Sequence, residues 1–374
     1  MRYVNVCDFA RRSRCRLLRS AVGLVLAILA GGRVATCVAE QPPSMSKLAD
    51  ASIRVRFYQD AVMHAPDHYA ALALLGAAYL EQARDHGDLD LLGKALESLE
   101  RSVAIQPNLE AFVALAEHCL YRHRFMEGKS WIERAHAAAP GDPALLTLRV
   151  EARLGLGELV EATQLVDEAR AGMEIARRPR EYQFILETAS GACLVSRGDS
   201  ASAKAAYLRA SVVAPDPDLA LWSKVRAAGV ELDAGRFEAA APLLEEAARL
   251  KPHDRFLRIH QAELLEASSQ PAAALLLYEQ LIAEQDEADL RRRAYSLSKS
   301  LGRPHVAQFH FDRCQTLCRA VIDRGEIFTL ECLASLLAES GLPDRRAEAI
   351  ELARRNTEFK RDRRALNLLE SLKP

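Results

Sequence analysis

Glycine and proline are scarce, 18 and 15 in 374 residues, which excludes long flexible linkers. Aromatic side chains make up only 6%, and Ala and Leu, both strong helix formers, supply most of the apolar mass. No apolar run reaches the roughly 20 residues that a permanent membrane-spanning helix needs. The twelve-residue stretch Ala21–Gly32 falls well short. Neither sign of charge is in excess: 50 Lys and Arg stand against 51 Asp and Glu. There is no Gly-rich phosphate loop, no HExxH and no GxSxG, so the short motifs of nucleotide, zinc-hydrolase and serine-hydrolase chemistry are missing. Of eight cysteines, Cys7, Cys15 and Cys37 lie near the start. The other five, Cys119, Cys193, Cys314, Cys318 and Cys332, are too scattered for a disulfide framework.

Charge is distributed unevenly. Residues 1–39 hold seven Arg and one acid, so the remainder carries 43 basic and 50 acidic residues, a net −7. A chain of that sign is a poor fit for nonspecific nucleic-acid binding. The first 39 residues read as an address. A basic segment (Arg11, Arg12, Arg14, Arg16, Arg19) precedes the apolar run, and small residues follow up to Ala39. That is the layout of a secretory signal peptide, with cleavage expected after Ala39 or after Gly32. The same residues also resemble two other signals. Val34-Ala35-Thr36-Cys37 resembles a lipoprotein box, with Thr36 where a smaller residue is the rule. Arg11-Arg12 suggests a twin-arginine signal, without the hydrophobic residues that follow such a pair. An uncleaved anchor is the remaining alternative. The expectation is export to the periplasm or cell envelope, with membrane association through the N-terminus as an alternative.

A recurring pattern organises the rest. An alanine or serine stands five residues before a proline at Ala61–Pro66, Ser102–Pro107, Ala135–Pro140, Ala210–Pro215 and Ala247–Pro252. A Gly-x-aromatic turn precedes some of these. Such spacing resembles the tetratricopeptide repeat, a unit of about 34 residues with two antiparallel helices, A and B. Counted from Leu109, positions 4, 7, 8, 11, 17, 20, 27 and 32 are Phe112, Leu115, Ala116, Cys119, Phe125, Gly128, Ala135 and Pro140, a near-complete match. The expected packing residues are Gly76, Tyr79, Ala116, Ala135, Gly191, Ala210, Ala228 and Ala247. Pro140, Pro215 and Pro252 close B helices, because proline has no N–H to donate and clashes with the preceding turn.

The fold expected is therefore all-α, an α-α superhelix of about eight helix-turn-helix repeats. After a short linker at 40–45 the solenoid covers 46–372: a half-repeat at 46–66, units at 69–107, 109–140, 143–174, 184–215, 221–252, 255–286, 288–319 and 327–359, and a closing helix at 363–372. The first full unit carries a polar insertion, Arg84–Asp88, expected to lengthen its A–B loop. Repeats of this kind touch only their neighbours. The last two units also resemble a bacterial group of exported repeat proteins, through Leu301–Pro304, Leu333–Gly341 and Ala349–Arg354.

The resemblance implies a binding module rather than an enzyme, with no cofactor. Positions 2, 5, 9, 12 and 13 of A helices line the groove in such proteins. Here the groove candidates are Val113, Glu117, Leu120 and Tyr121, then Trp222 and Val225, then Phe256 and Ile259. No unit has the Lys and Asn pair that clamps acidic C-terminal tails, so a peptide with apolar anchors is the expected partner. Trp222, Tyr121 and Phe256 are the anchor candidates. The alternative placement for all of these side chains is the core between helices.

One cluster could carry chemistry. His310, Cys314 and Cys318 stand at i, i+4 and i+8 on one helix stripe, and soft ligands on one face suit zinc or copper. Three ligands over two turns span about 12 Å of axis, too far for one ion, and Cys314 falls at the small packing position 27. The basic tail (Arg345, Arg346, Arg354, Arg355, Lys360, Arg361, Arg363, Arg364) has interleaved acids and reads as a solvated end cap.

Overall fold

A computed structural model describes residues 51–171 and 179–373. The address segment at 1–39, the linker at 40–45 and the start of the half-repeat lie outside the described residues. Among the described residues the regular structure is all α-helical. The helices are α1 (Ala51–His64), α2 (Tyr69–His86), α3 (Leu89–Ile105), α4 (Leu109–Tyr121), α5 (Phe125–Ala138), α6 (Leu145–Gly155), α7 (Leu159–Ala171), α8 (Arg180–Arg197), α9 (Ser200–Val213), α10 (Pro217–Asp233), α11 (Phe237–Leu250), α12 (Arg255–Ala267), α13 (Pro271–Glu284), α14 (Ala288–Ser300), α15 (Pro304–Ile322), α16 (Leu330–Glu339), α17 (Pro343–Phe359) and α18 (Arg363–Leu372). Eight A/B pairs, α2/α3 to α16/α17, stand between α1 and α18. Among the described residues this is an all-α helical repeat built of helix pairs.

The sequence sets the helix ends through two devices. Pro66, Pro107, Pro140, Pro215 and Pro252 each stand two residues past the end of a B-type helix, where ring and missing N–H oppose continuation. Asp199, Asp216, Asp254 and Asp362 cap the N-termini of α9, α10, α12 and α18. Their carboxylates accept from backbone N–H groups at 3.1, 2.9, 3.0 and 2.9 Å. The insertion at Arg84–Asp88 does not become a long loop. It is absorbed into α2 and α3, which run 18 and 17 residues and meet across Gly87-Asp88. Asp88 caps α3 and Gly87 takes the left-handed conformation that ends α2.

All eight A–B turns contain one residue of positive φ. Six are glycines: Gly87, Gly157, Gly198, Gly235, Gly302 and Gly341. The other two are His123 and Ser269, both at φ 59°. A Cβ in this region costs about 1–2 kcal/mol. Ser269→Gly is therefore expected to stabilise the fold by about 1 kcal/mol, read as a higher urea midpoint at unchanged slope. An unchanged or lower midpoint would mean that Ser269 earns its place through a contact.

The described residues form two compact units: residues 51–118 with 132–145, and residues 119–131 with 146–373. In the first, Leu72, Leu80, Ala95 and Leu99 are fully or almost fully buried. Gly76 lets α2 and α3 approach: a Cβ there would lie 2.6 Å from Leu99 Cγ and 2.9 Å from the Ala95 carbonyl oxygen. Ser102 Oγ donates to the Tyr69 carbonyl at 2.7 Å, pinning the end of α3 to the start of α2. Tyr79 and Ala116 are buried, as is Ala135.

The second unit repeats this logic and adds something else. Gly191 faces the Tyr207 ring, and a Cβ there would come within 2.8 Å of Cζ. Ala210, Ala228 and Ala247 are completely buried. The early A–B turns of this unit, however, bind its last segment across some 200 residues of sequence. Arg122 Nε donates to Glu326 Oε2 at 2.7 Å, with a second bond from Arg122 to Glu326 Oε1. The rings of Tyr121 and Phe328 are 5.8 Å apart. Arg361 N donates to the Gly155 carbonyl at 2.7 Å, and the Arg363 guanidinium lies over Gly198. Neighbour-only contact, expected of the repeats, is thus broken in this unit.

The same contacts revise the reading of the basic tail. Lys360 is buried, its Nζ 2.6 Å from Glu331 Oε2 and 3.4 Å from Asp362. Arg364 Nε reaches Glu331 Oε1 at 2.6 Å. Arg345 covers the Phe311 ring at 4.2 Å. Arg354, Arg355 and Arg361 remain exposed. Part of the tail is therefore an internal clamp rather than a solvated face, because Glu331 on α16 supplies the countercharge.

His123 sits beside this cluster, its Nδ1 enclosed with no hydrogen-bond partner among the described residues. Burial, and secondarily the Lys360 charge, push its pKa down to about 3. Burial and Arg291 likewise push His310 down to about 4. Each folded-state value lies below the free value near 6.5, so the unfolded chain binds more protons. Stability is complete above pH 6.5 and falls as pH drops through that value toward 4 and then 3. At pH 5 the loss is expected to be roughly 2 kcal/mol for each histidine. Urea midpoints at pH 7.5 and pH 5, for the parent and His310→Gln, check this: the variant loses less on acidification. Equal losses would remove His310 from the account.

Candidate partner-binding face

The A helices of the second unit carry an aromatic and charged stripe. On α10, Trp222 is part-buried against Phe184 and Tyr207, with ring centroids 6.4 and 6.1 Å away. The Arg226 guanidinium lies 5.3 Å from the Tyr207 ring centre and 5.9 Å from that of Trp222, and donates to Tyr207 Oη at 3.2 Å. Trp222 Nε1–H finds no acceptor among the described residues. On α12, Phe256 meets His260 edge to face at 4.5 Å. His260 Nδ1 hydrogen-bonds the Phe256 carbonyl at 3.0 Å, and burial holds its pKa below the usual value. Gly229 makes room for that imidazole: a Cβ would stand 3.2 Å from Nε2.

The acids of this face are already neutralised. Arg293 on α14 donates to Glu263 at 2.6 Å and to Glu266 at 3.3 Å. Burial alone would lower the Arg293 pKa, but Glu263 and its neighbours outweigh burial and raise it. Tyr278 Oη donates to Glu266 at 3.1 Å. Arg292 pairs with Glu339, whose pKa burial still lifts. The carboxylates of Glu263, Glu266 and Glu339 are thus charge-compensated by Arg292 and Arg293.

The groove candidates divide by burial. Val113, Glu117 and Leu120, and likewise Val225 and Ile259, are at most 6% exposed and lie in the core of their unit. Val225 belongs to a cluster with Leu221, Ala228, Leu244 and Leu257. Glu117 approaches Arg84 at 3.9 Å. Repeat position 5 in all three units, and positions 9 and 12 in the unit from Leu109, turn toward neighbouring helices here, which a position count does not reveal. Tyr121, Trp222 and Phe256 stay part-exposed, and Tyr121 is engaged by Phe328. Arg226 and Arg293, at position 6 of their units, were missed because the position rule skips them.

A second constellation lies on α15 and α16. The sulfurs of Cys314, Cys318 and Cys332 are all within 4.8 Å of one another, and all three residues are buried. Cys314 and Cys332 are 3.9 Å apart. His310 does not join them. Its Nδ1 accepts from Arg291 at 3.2 Å and its Nε2 faces Glu279 at 3.8 Å. Two of the three residues picked from the sequence converge, and the third ligand is Cys332, one helix later. A B helix packs on the next A helix, so comparing their registers would have found it. Hydrogen bonds from Cys318 and Cys332 hold the Cys314 thiol down to about 5, while Cys318 and Cys332 are pushed up.

Helix pairs of tetratricopeptide type, closed by left-handed turns and prolines, define the class as a helical-repeat protein. Solved structures similar to this chain include a tetratricopeptide repeat protein from Parabacteroides merdae ATCC 43184, at 12% identity and TM-score 0.44, covering 71% of this chain and 98% of that one. Another is MamA AMB-1, at 16% identity and TM-score 0.32, covering 44% and 94%. A third is pilF of Pseudomonas aeruginosa, at 17% identity and TM-score 0.33, covering 67% and 91%. No protein-family model and no curated protein matches the sequence.

Proposed function

We propose that this chain is a non-catalytic scaffold that holds a partner polypeptide, and that it works in the periplasm or cell envelope. The observation that carries the binding reading is the Trp222 site. A large, part-exposed aromatic stands there beside an arginine and against Phe184 and Tyr207, and its enclosed indole N–H has no acceptor among the described residues. Buried Trp N–H groups usually find a partner, and Trp and Arg dominate binding hot spots. An apolar segment that packs on the exposed part of the Trp222 ring is the partner this stripe fits. Location rests on the basic, apolar and small-residue order of 1–39. Among the described residues no helix is long and apolar enough to cross a membrane.

The test is in-situ crosslinking from photoreactive residues at Trp222 and Phe256, with Leu276, 58% exposed on α13, as control. One dominant polypeptide captured at the first two positions and absent from the third supports the reading. Equal capture at all three would sink it. The N-terminal mass of the mature chain decides between a cleaved and a retained leader.

A further inference from the structure

We propose that Cys314, Cys318 and Cys332 form a three-coordinate thiolate site for a soft closed-shell cation, Cu(I). Thiolates on one ion with metal–sulfur bonds of about 2.3 Å lie about 3.8–4.0 Å apart. Cys314 and Cys332 are at 3.9 Å, and the whole trio fits within 4.8 Å. Closing the widest pair to that spacing takes about 1 Å of movement at most.

Ligand number selects the ion. Structural zinc takes four protein ligands. The imidazole on the same stripe is committed to Arg291 and Glu279. Cys314 and Cys318 are wholly buried, which disfavours a water as fourth ligand. Soft sulfur donors in a dry three-ligand pocket favour Cu(I) over the harder divalent ions. Cys332 is the least buried of the three residues, at 9% exposure.

Three thiolates and Cu(I) carry a net −2, and the Arg292 guanidinium, which also pairs with Glu339, is the cation that acts on Cys314. Binding involves no redox step: each S–H that becomes a ligand releases its proton to solvent as the ion enters. Packing alone would ask only that these residues be small and apolar, as Ala135, Ala210 and Ala247 are at the position that Cys314 fills. That equivalence makes Cys314→Ala a variant that the fold tolerates.

The experiment uses the full reduced chain without oxygen, titrated with Cu(I) against a chromophoric Cu(I) chelator. The expected result is one Cu(I) withheld per chain. Affinity should fall more than about 100-fold in Cys314→Ala and in Cys332→Ser, beyond what an outer-shell change costs. Cys119→Ser with Cys193→Ser should leave it unchanged. X-ray absorption of the copper form should show three sulfur neighbours. No copper withheld, or equal retention by Cys314→Ala, overturns the proposal. So does a reduced chain that ignores Cu(I) but takes one Zn(II). This outcome is independent of the crosslinking result.

Discussion

Glu331→Ala is expected to lose about 3–5 kcal/mol of folding stability, the usual result of removing one partner from a buried ion cluster. The side chain is 9% exposed and receives Lys360 at 2.6 Å and Arg364 at 2.6 Å. Without it, Lys360, whose side chain is 5% exposed, loses its 2.6 Å partner, and Asp362 stands farther off at 3.4 Å. The paired charges hold the Glu331 carboxyl below its usual range even though burial pushes the other way. Urea denaturation of the variant beside exposed Glu358→Ala measures the difference. A loss below about 1 kcal/mol would place the cluster with ordinary surface pairs.

Gly157→Val is expected to cost about 3 kcal/mol or more. Two causes add. The residue sits at φ 78°, and a Cβ would lie 2.8 Å from the Arg361 carbonyl oxygen, an atom that cannot rotate aside. A left-handed Cβ costs about 1–2 kcal/mol and overpacking about 1–3. Gly235→Val supplies the comparison: its φ is 71° and nothing lies within 4 Å. The excess of the first variant over the second measures the contact between the α6–α7 turn and the last segment. Equal losses would mean that this contact contributes nothing.

Both substitutions probe features that the sequence shows unequally. The repeat was legible because its cause is local. Proline two residues past each B-type helix, small residues at closest approach and glycine at the turn each act within one unit. Ser269 and His123 hid two of the eight turns, since neither residue advertises a positive φ. The insertion at 84–88 misled for a related reason: polar residues suggest a loop, yet Gly87 and Asp88 are a helix stop and a helix start placed side by side. The partner face was half legible. Trp222 and Phe256 were found by position, while Val225 and Ile259 fell one helical step into the core. Arg122 with Glu326, and Lys360 with Glu331, could not be read at all. Pairing across such separations depends on how the helix pairs accumulate rotation, which no single unit encodes.

That long-range pairing also has a consequence during synthesis. Arg122 and Glu326 are separated by 204 positions in the chain, so at about 5–20 residues per second their meeting waits roughly 10–40 s after Arg122 is made. Until then Tyr121, Arg122 and the turn at His123 lack their counterpart, although the helices on either side can already form. Folding of this unit therefore ends with a late, high-contact-order step, slower than the local helix pairing that precedes it. A nascent chain stalled before Glu326 should be the species most in need of a chaperone.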